Sequence, residues 1–83
     1  MFSVYMLKSL ITDKYYIGQT SDIKKKLLYH NSGYSKYTKA GIPWKLVYSE
    51  NFDTRQQAMN REAQFKNYKS RVMIEKIIRA HID

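Results

Sequence analysis

Tyr15-Tyr16-Ile17-Gly18-Gln19-Thr20-Ser21-Asp22 holds a change of period. Its first six residues are rich in aromatic and β-branched types and read as a strand. Ser21 or Asp22 can cap a helix by accepting a backbone N–H. From Ile23 the apolar spacing turns helical, with Ile23, Leu27 and His30 at i, i+4 and i+7 on one stripe. Gly18, near the strand's end, lets another group approach the backbone closely.

Working outward, Phe2 to Leu7 reads as a strand. Ser3, Tyr5 and Leu7 share one face, and Phe2, Val4 and Met6 the other. Lys8 to Lys14 reads as a turn, so the two strands are expected to pair as a hairpin. Asn31-Ser32-Gly33 ends the helix, and a polar loop runs to Pro43. Trp44 to Phe52 reads as a third strand, with Trp44 and Tyr48 in the core. Thr54 followed by Gln57 has the form of a capping box and starts a second helix. The pattern breaks at Tyr68 to Ser70. Ser70 can cap a last helix with Met73, Ile74, Ile77 and Ile78 on its apolar face. The predicted order is β-β-α-β-α-α, an α+β fold with a three-stranded antiparallel sheet flanked by helices. The 83 residues are expected to form one domain, 1–83. Such a chain buries only about 60% of its unfolded surface, which puts any site near the exterior.

Fifteen Lys and Arg against seven Asp and Glu give a net charge of +8, an excess suited to a polyanion such as nucleic acid. With no cysteine, disulfides and thiolate zinc sites are excluded. No secretory leader or membrane-length apolar run is visible, so a soluble, cytoplasmic protein is expected.

Glu62 falls between Ala58, Met59, Ala63 and Phe65, inside an apolar stripe. A carboxylate there is either half of a structural ion pair or a metal ligand, and a single one suits Mg²⁺. If the first two strands pair, Tyr5 and Tyr16 point to the same side. Packing accounts for most of the eight tyrosines, but a phenol beside a cation can take a proton from water. Lys26 and His30 are i, i+4 neighbours at the edge of the helical stripe, suited to a phosphate oxygen and a proton. The loop residues Lys36, Tyr37, Thr38 and Lys39 interleave cations with an aromatic, a pattern for nucleic-acid contact. The plainer alternative is a polar loop with Tyr37 packed down. A second basic group, Lys66, Lys69, Arg71, Lys76 and Arg79, reads mostly as a solvated face.

Together these positions resemble the GIY-YIG nuclease family over nearly the whole chain. Tyr16-Ile17-Gly18 matches the second triplet, and Ser3-Val4-Tyr5 stands where the first belongs, keeping only the tyrosine. His30-Asn31-Ser32-Gly33, Ser35-Lys36-Tyr37-Thr38 and Pro43-Trp44-Lys45-Leu46-Val47-Tyr48 look like the small single-domain bacterial members. Arg61-Glu62 stands where that group has its metal-binding glutamate. The resemblance implies one divalent ion, Mg²⁺ or Mn²⁺, on Glu62. It implies a catalytic set of Tyr5, Tyr16, Lys26, His30 and Glu62, and endonuclease action in DNA repair or processing, with DNA expected ahead of RNA. The family carries an arginine where this chain has Lys26. Lysine keeps the charge but loses the two-pronged fork. Lys26 then has three readings: a weaker substitute, a position replaced by Arg61 or Arg55, or the mark of a nucleic-acid-binding module without catalysis. Exposed aromatics such as Tyr29 and Tyr34 could instead hold a protein partner that supplies targeting.

Overall fold

The computed structural model describes residues 1–68 and 70–82. Its strands are β1 (Phe2–Ser9), β2 (Tyr15–Thr20) and β3 (Trp44–Phe52), and its helices are α1 (Ile23–Asn31), α2 (Arg55–Asn67) and α3 (Arg71–Ile82). The sheet is antiparallel in the order β2-β1-β3, with Tyr5 opposite Gly18 and Leu7 opposite Tyr16. The α+β class and element order are as the sequence predicts. Lys69, counted above in the second basic group, lies outside the described residues.

The start signals act as read. Asp22 is the one that caps α1, its carboxylate accepting from the Lys25 N–H at 3.1 Å. Thr54 and Gln57 exchange both bonds of a capping box at 3.2 Å each. Ser70 accepts from the Met73 N–H at 3.4 Å and starts α3. β1 runs two residues beyond the predicted Leu7, to a buried Ser9. The Ser9 hydroxyl accepts from the Ile11 and Thr12 N–H groups and donates to the Gly41 carbonyl at 2.7 Å, tying the hairpin turn to the later loop.

As the central strand, β1 is covered on both faces, so its alternation sorts two cores. Val4 and Met6 pack with Tyr48, Ala58, Phe65, Ile74 and Ile78 under α2 and α3. Tyr5 and Leu7 pack with Trp44, edged by Tyr16, Ile23, Leu27, Ile42 and Leu46 under α1. Trp44 and Tyr48 are both core, as expected, but in different cores. Between Met6–Tyr48 and Leu7–Leu46 the β3 register slips by one residue, leaving Val47 extra. A bulge of this kind turns the rest of the strand over. The stripe read on α2 is narrower than expected. Ala58 and Phe65 are buried, whereas Met59 and Ala63 are exposed.

Candidate active site

Tyr5 and His30 come from a strand and a helix, and both are buried. The Tyr5 hydroxyl lies 3.2 Å from His30 Nε2, and His30 Nδ1 lies 2.9 Å from the Thr38 hydroxyl. Burial, and then the charge of Lys26, push the His30 pKa below its ordinary value, so the ring is neutral near pH 7. A neutral imidazole has one N–H, so one nitrogen donates and the other accepts. Burial also pushes the Tyr5 phenol up, helped by Tyr16 and by the negative charge of Glu62. Tyr5 therefore stays protonated unless its proton has somewhere to go.

Tyr16, half-buried, packs its ring 4.6 Å from that of His30 and 6.3 Å from that of Tyr5. Gly18 makes this possible. A Cβ there would meet the Tyr5 hydroxyl at 2.7 Å and the Tyr16 ring at 3.2 Å. The register explains the rest, because Tyr5 pairs with Gly18 and Tyr16 sits two residues back on the same face.

Three further residues frame this cluster. Asn31 clamps the Trp44 backbone, its carbonyl oxygen accepting from the Trp44 N–H at 2.6 Å and its amide donating to the Trp44 carbonyl at 3.1 Å. Trp44 Nε1 in turn donates to the Thr38 carbonyl at 2.7 Å. The sequence pattern marks Asn31 as a helix terminator, Trp44 as core and Thr38 as a surface contact. Thr38 is 0% exposed, so it faces His30 and not a ligand in solvent. The available signal was the histidine on an apolar stripe, which needs a partner. Lys36 and Lys39 are exposed and Tyr37 is 95% exposed, so Tyr37 is not packed down.

Glu62 lies where its charge reaches Tyr5. Its side chain is 21% exposed and meets Lys66 Nζ at 2.6 Å, one turn along the helix. An i, i+4 pair at a helix surface is worth about 0.3–0.5 kcal/mol, little enough for a cation to displace Lys66. Among the described residues no group of three or more His, Cys, Asp and Glu could hold a metal. One hard oxygen ligand nonetheless fits a largely hydrated Mg²⁺, which keeps most of its waters. Lys26 is half-buried, with Nζ 5.0 Å from the Tyr29 ring centre, and its charge is felt at His30. Arg61 does not stand in for it. Its guanidinium is paired with Glu50 at 3.0 Å and lies over the Phe65 ring, against the other core. Arg55 bonds Gln19 and covers Phe2.

The chain matches the GIY-YIG catalytic domain over residues 1–76 and belongs to that family of nuclease domains. Within it, the chain resembles UPF0213 proteins. It is 48% identical over 56 residues to one from Streptococcus pneumoniae, covering 66% of this chain and 57% of that protein. It is 52% identical over 52 residues to one from Streptococcus agalactiae, covering 61% and 59%. Those matches span less than two thirds of the relatives' own length. A solution NMR structure of a UPF0213 protein from Bacillus halodurans superposes with a TM-score of 0.60 at 30% identity, over 96% of this chain and 85% of that one. No helix among the described residues is long and apolar enough to cross a membrane.

Proposed function

We propose that residues 1–83 act as a metal-dependent endonuclease. It hydrolyses nucleic-acid phosphodiester bonds, DNA ahead of RNA, chosen by structure in repair or processing. The observation that supports this most is the run Tyr5–His30–Thr38 beside half-exposed Tyr16 and within reach of the Glu62 charge. In this reading Tyr5 donates to His30 Nε2 and the Nδ1–H donates to Thr38. As water attacks phosphorus, its proton passes to the Tyr5 oxygen while the Tyr5 proton moves to Nε2; the opposite P–O ester bond breaks, and the leaving sugar oxygen takes a proton from solvent water. The raised phenol and the neutral imidazole suit such a relay, because neither need be charged beforehand. The Tyr16 hydroxyl donates to a phosphate oxygen. Lys26 offsets charge on the phosphate as a point charge. Glu62 would hold one Mg²⁺ or Mn²⁺, which supplies positive charge at the phosphate and acidifies water when bound.

The test is incubation with branched, nicked and single-stranded DNA, and with RNA, in Mg²⁺ or Mn²⁺. Wild-type cleavage should exceed that of Glu62→Ala by about 100-fold or more, the lower range for losing a charge-stabilising group. Equal rates would sink the proposal. Lys26 in place of an arginine favours one other reading, a nucleic-acid-binding module without catalysis. That reading requires no cleavage in either metal, together with affinity that falls by about 0.9 log units per log unit of salt for each duplex phosphate contacted.

A further inference from the structure

We propose that Tyr29 and Tyr34 form a stacking platform for an unpaired nucleobase, with Lys25 and Lys26 taking the adjoining phosphates. The inference rests on the nuclease reading and adds the form of nucleic acid that the site holds.

The inward stripe of α1 is Ile23, Leu27 and His30, and it accounts for the helix's packing. Leu28 and Tyr29 point away from it. Leu28 is 71% exposed, Tyr29 41% and Tyr34 78%. The two tyrosine rings lie 6.1 Å apart and 22° from parallel, with Lys26 Nζ 5.0 Å from the Tyr29 ring centre, so the more exposed Tyr34 ring is the one that turns a free flat face to water. An apolar hollow of about 290 Å³ lies against them, lined by Lys25, Leu28, Tyr29, Ser32 and Tyr34. A second, of about 320 Å³, shares Lys25 and Tyr29 and continues along Thr20, Ser21, Asp22 and Lys26. Together they make a track with aromatic walls and a cationic rim.

Charge selects the occupant. The helix carries Lys24, Lys25 and Lys26 and no acidic residue. Asp22, the one carboxylate on the track, is committed to the Lys25 backbone N–H. A flat apolar ligand joined to a negative charge fits, which describes a base and its phosphate. The Tyr29 ring meets His30 edge-on at 5.6 Å, so the platform lies one ring away from the Tyr5–His30 bond. Bases inside a duplex are already stacked and cannot reach it. A strand end, a flap or a single strand can.

The experiment uses the full chain in EDTA, so that binding is read without cleavage, and a single-stranded oligonucleotide carrying 2-aminopurine. Wild-type protein should quench the fluorescence. Tyr34→Ala should weaken single-strand affinity by roughly 5- to 150-fold, the range for losing one stacked base, and leave duplex affinity almost unchanged. Tyr34→Trp should retain binding. Lys25→Ala should lower the salt slope by about one phosphate. Tyr34→Ala binding single strands as tightly as wild type, or losing equally on duplex, would overturn the proposal; the first result would give the ring pair to a protein partner. Failure of cleavage with Tyr34-dependent binding intact would sink the nuclease reading alone.

Discussion

The two faces of one sheet differ in what covers them. Under α2 and α3 lie Val4, Met6, Tyr48, Ala58, Phe65, Ile74 and Ile78, a nearly continuous apolar core. Under α1 lie Tyr5, Leu7 and Trp44, and against them a buried histidine and a buried threonine joined by hydrogen bonds. One face gains its stability from area removed from water. The other gains less, because its buried hydroxyls and imidazole must first replace their bonds to water. A strand with period two can therefore divide its work, holding the fold with one set of side chains and positioning reactive groups with the next.

The largest expected effect tests the apolar face. Phe65→Ala should cost about 3–5 kcal/mol, read as a lower midpoint in urea denaturation. That is a large part of the stability of so small a domain. Next comes Tyr5→Phe on the opposite face. Cleavage should fall about 10²- to 10⁴-fold, while stability drops by only about 1–3 kcal/mol for the unpaired His30 nitrogen. If Tyr5→Phe unfolded the chain as Phe65→Ala does, the division of labour would fail.

A smaller effect is expected from Thr38→Val, which keeps the shape and removes the acceptor for His30 Nδ1. Cleavage should fall about tenfold, the size of one neutral hydrogen bond lost in the transition state, and Thr38→Ser should restore it. The pH profile checks the same bond. In the proposed relay His30 must be neutral to accept a proton, and its folded pKa lies below 6.5. Cleavage should therefore persist below pH 6.5 and be lost as pH falls through the folded value. Stability should follow the same sign. The unfolded histidine binds its proton near 6.5 and the folded one only lower, so unfolding is favoured as pH drops through 6.5. The smallest effect is Lys26→Arg, which should raise cleavage about tenfold through two-pronged phosphate contact and change stability by less than about 0.5 kcal/mol. A completely inactive wild type, unrescued by this change, would favour the binding module.

The elements were legible because their signals are local. The bounds Tyr15–Thr20 and Trp44–Phe52 match the sequence reading, as do the start of α1 at Ile23 and the capping box at Thr54. The pairing of Tyr5 and Tyr16 on one face followed from period two and a hairpin. What stayed hidden depends on contacts across the chain. Thr38 finds His30 eight residues away, and Asn31 finds Trp44 thirteen away, through a loop that has only one short 3₁₀ turn, Lys39–Gly41. No period marks such partners. The stripe on α2 is narrower than its apolar spacing suggests: Ala58 and Phe65 are buried, and the turn between them holds half-buried Arg61 and Glu62. Glu62 lies close enough to Tyr5 for its charge to be felt there.

Val47 works like a shifted reading frame. Upstream of it, Trp44 and Leu46 belong to the reactive side. Downstream, Tyr48 belongs to the greasy one. Leu46 and Tyr48 stand two residues apart yet face opposite sides, so one strand furnishes both a neighbour for Tyr16 and a plug for the interior. Ironing the bulge flat, with Val47 counted in the alternation, would put Trp44 and Tyr48 on the same side and force one of the two rings out of its core.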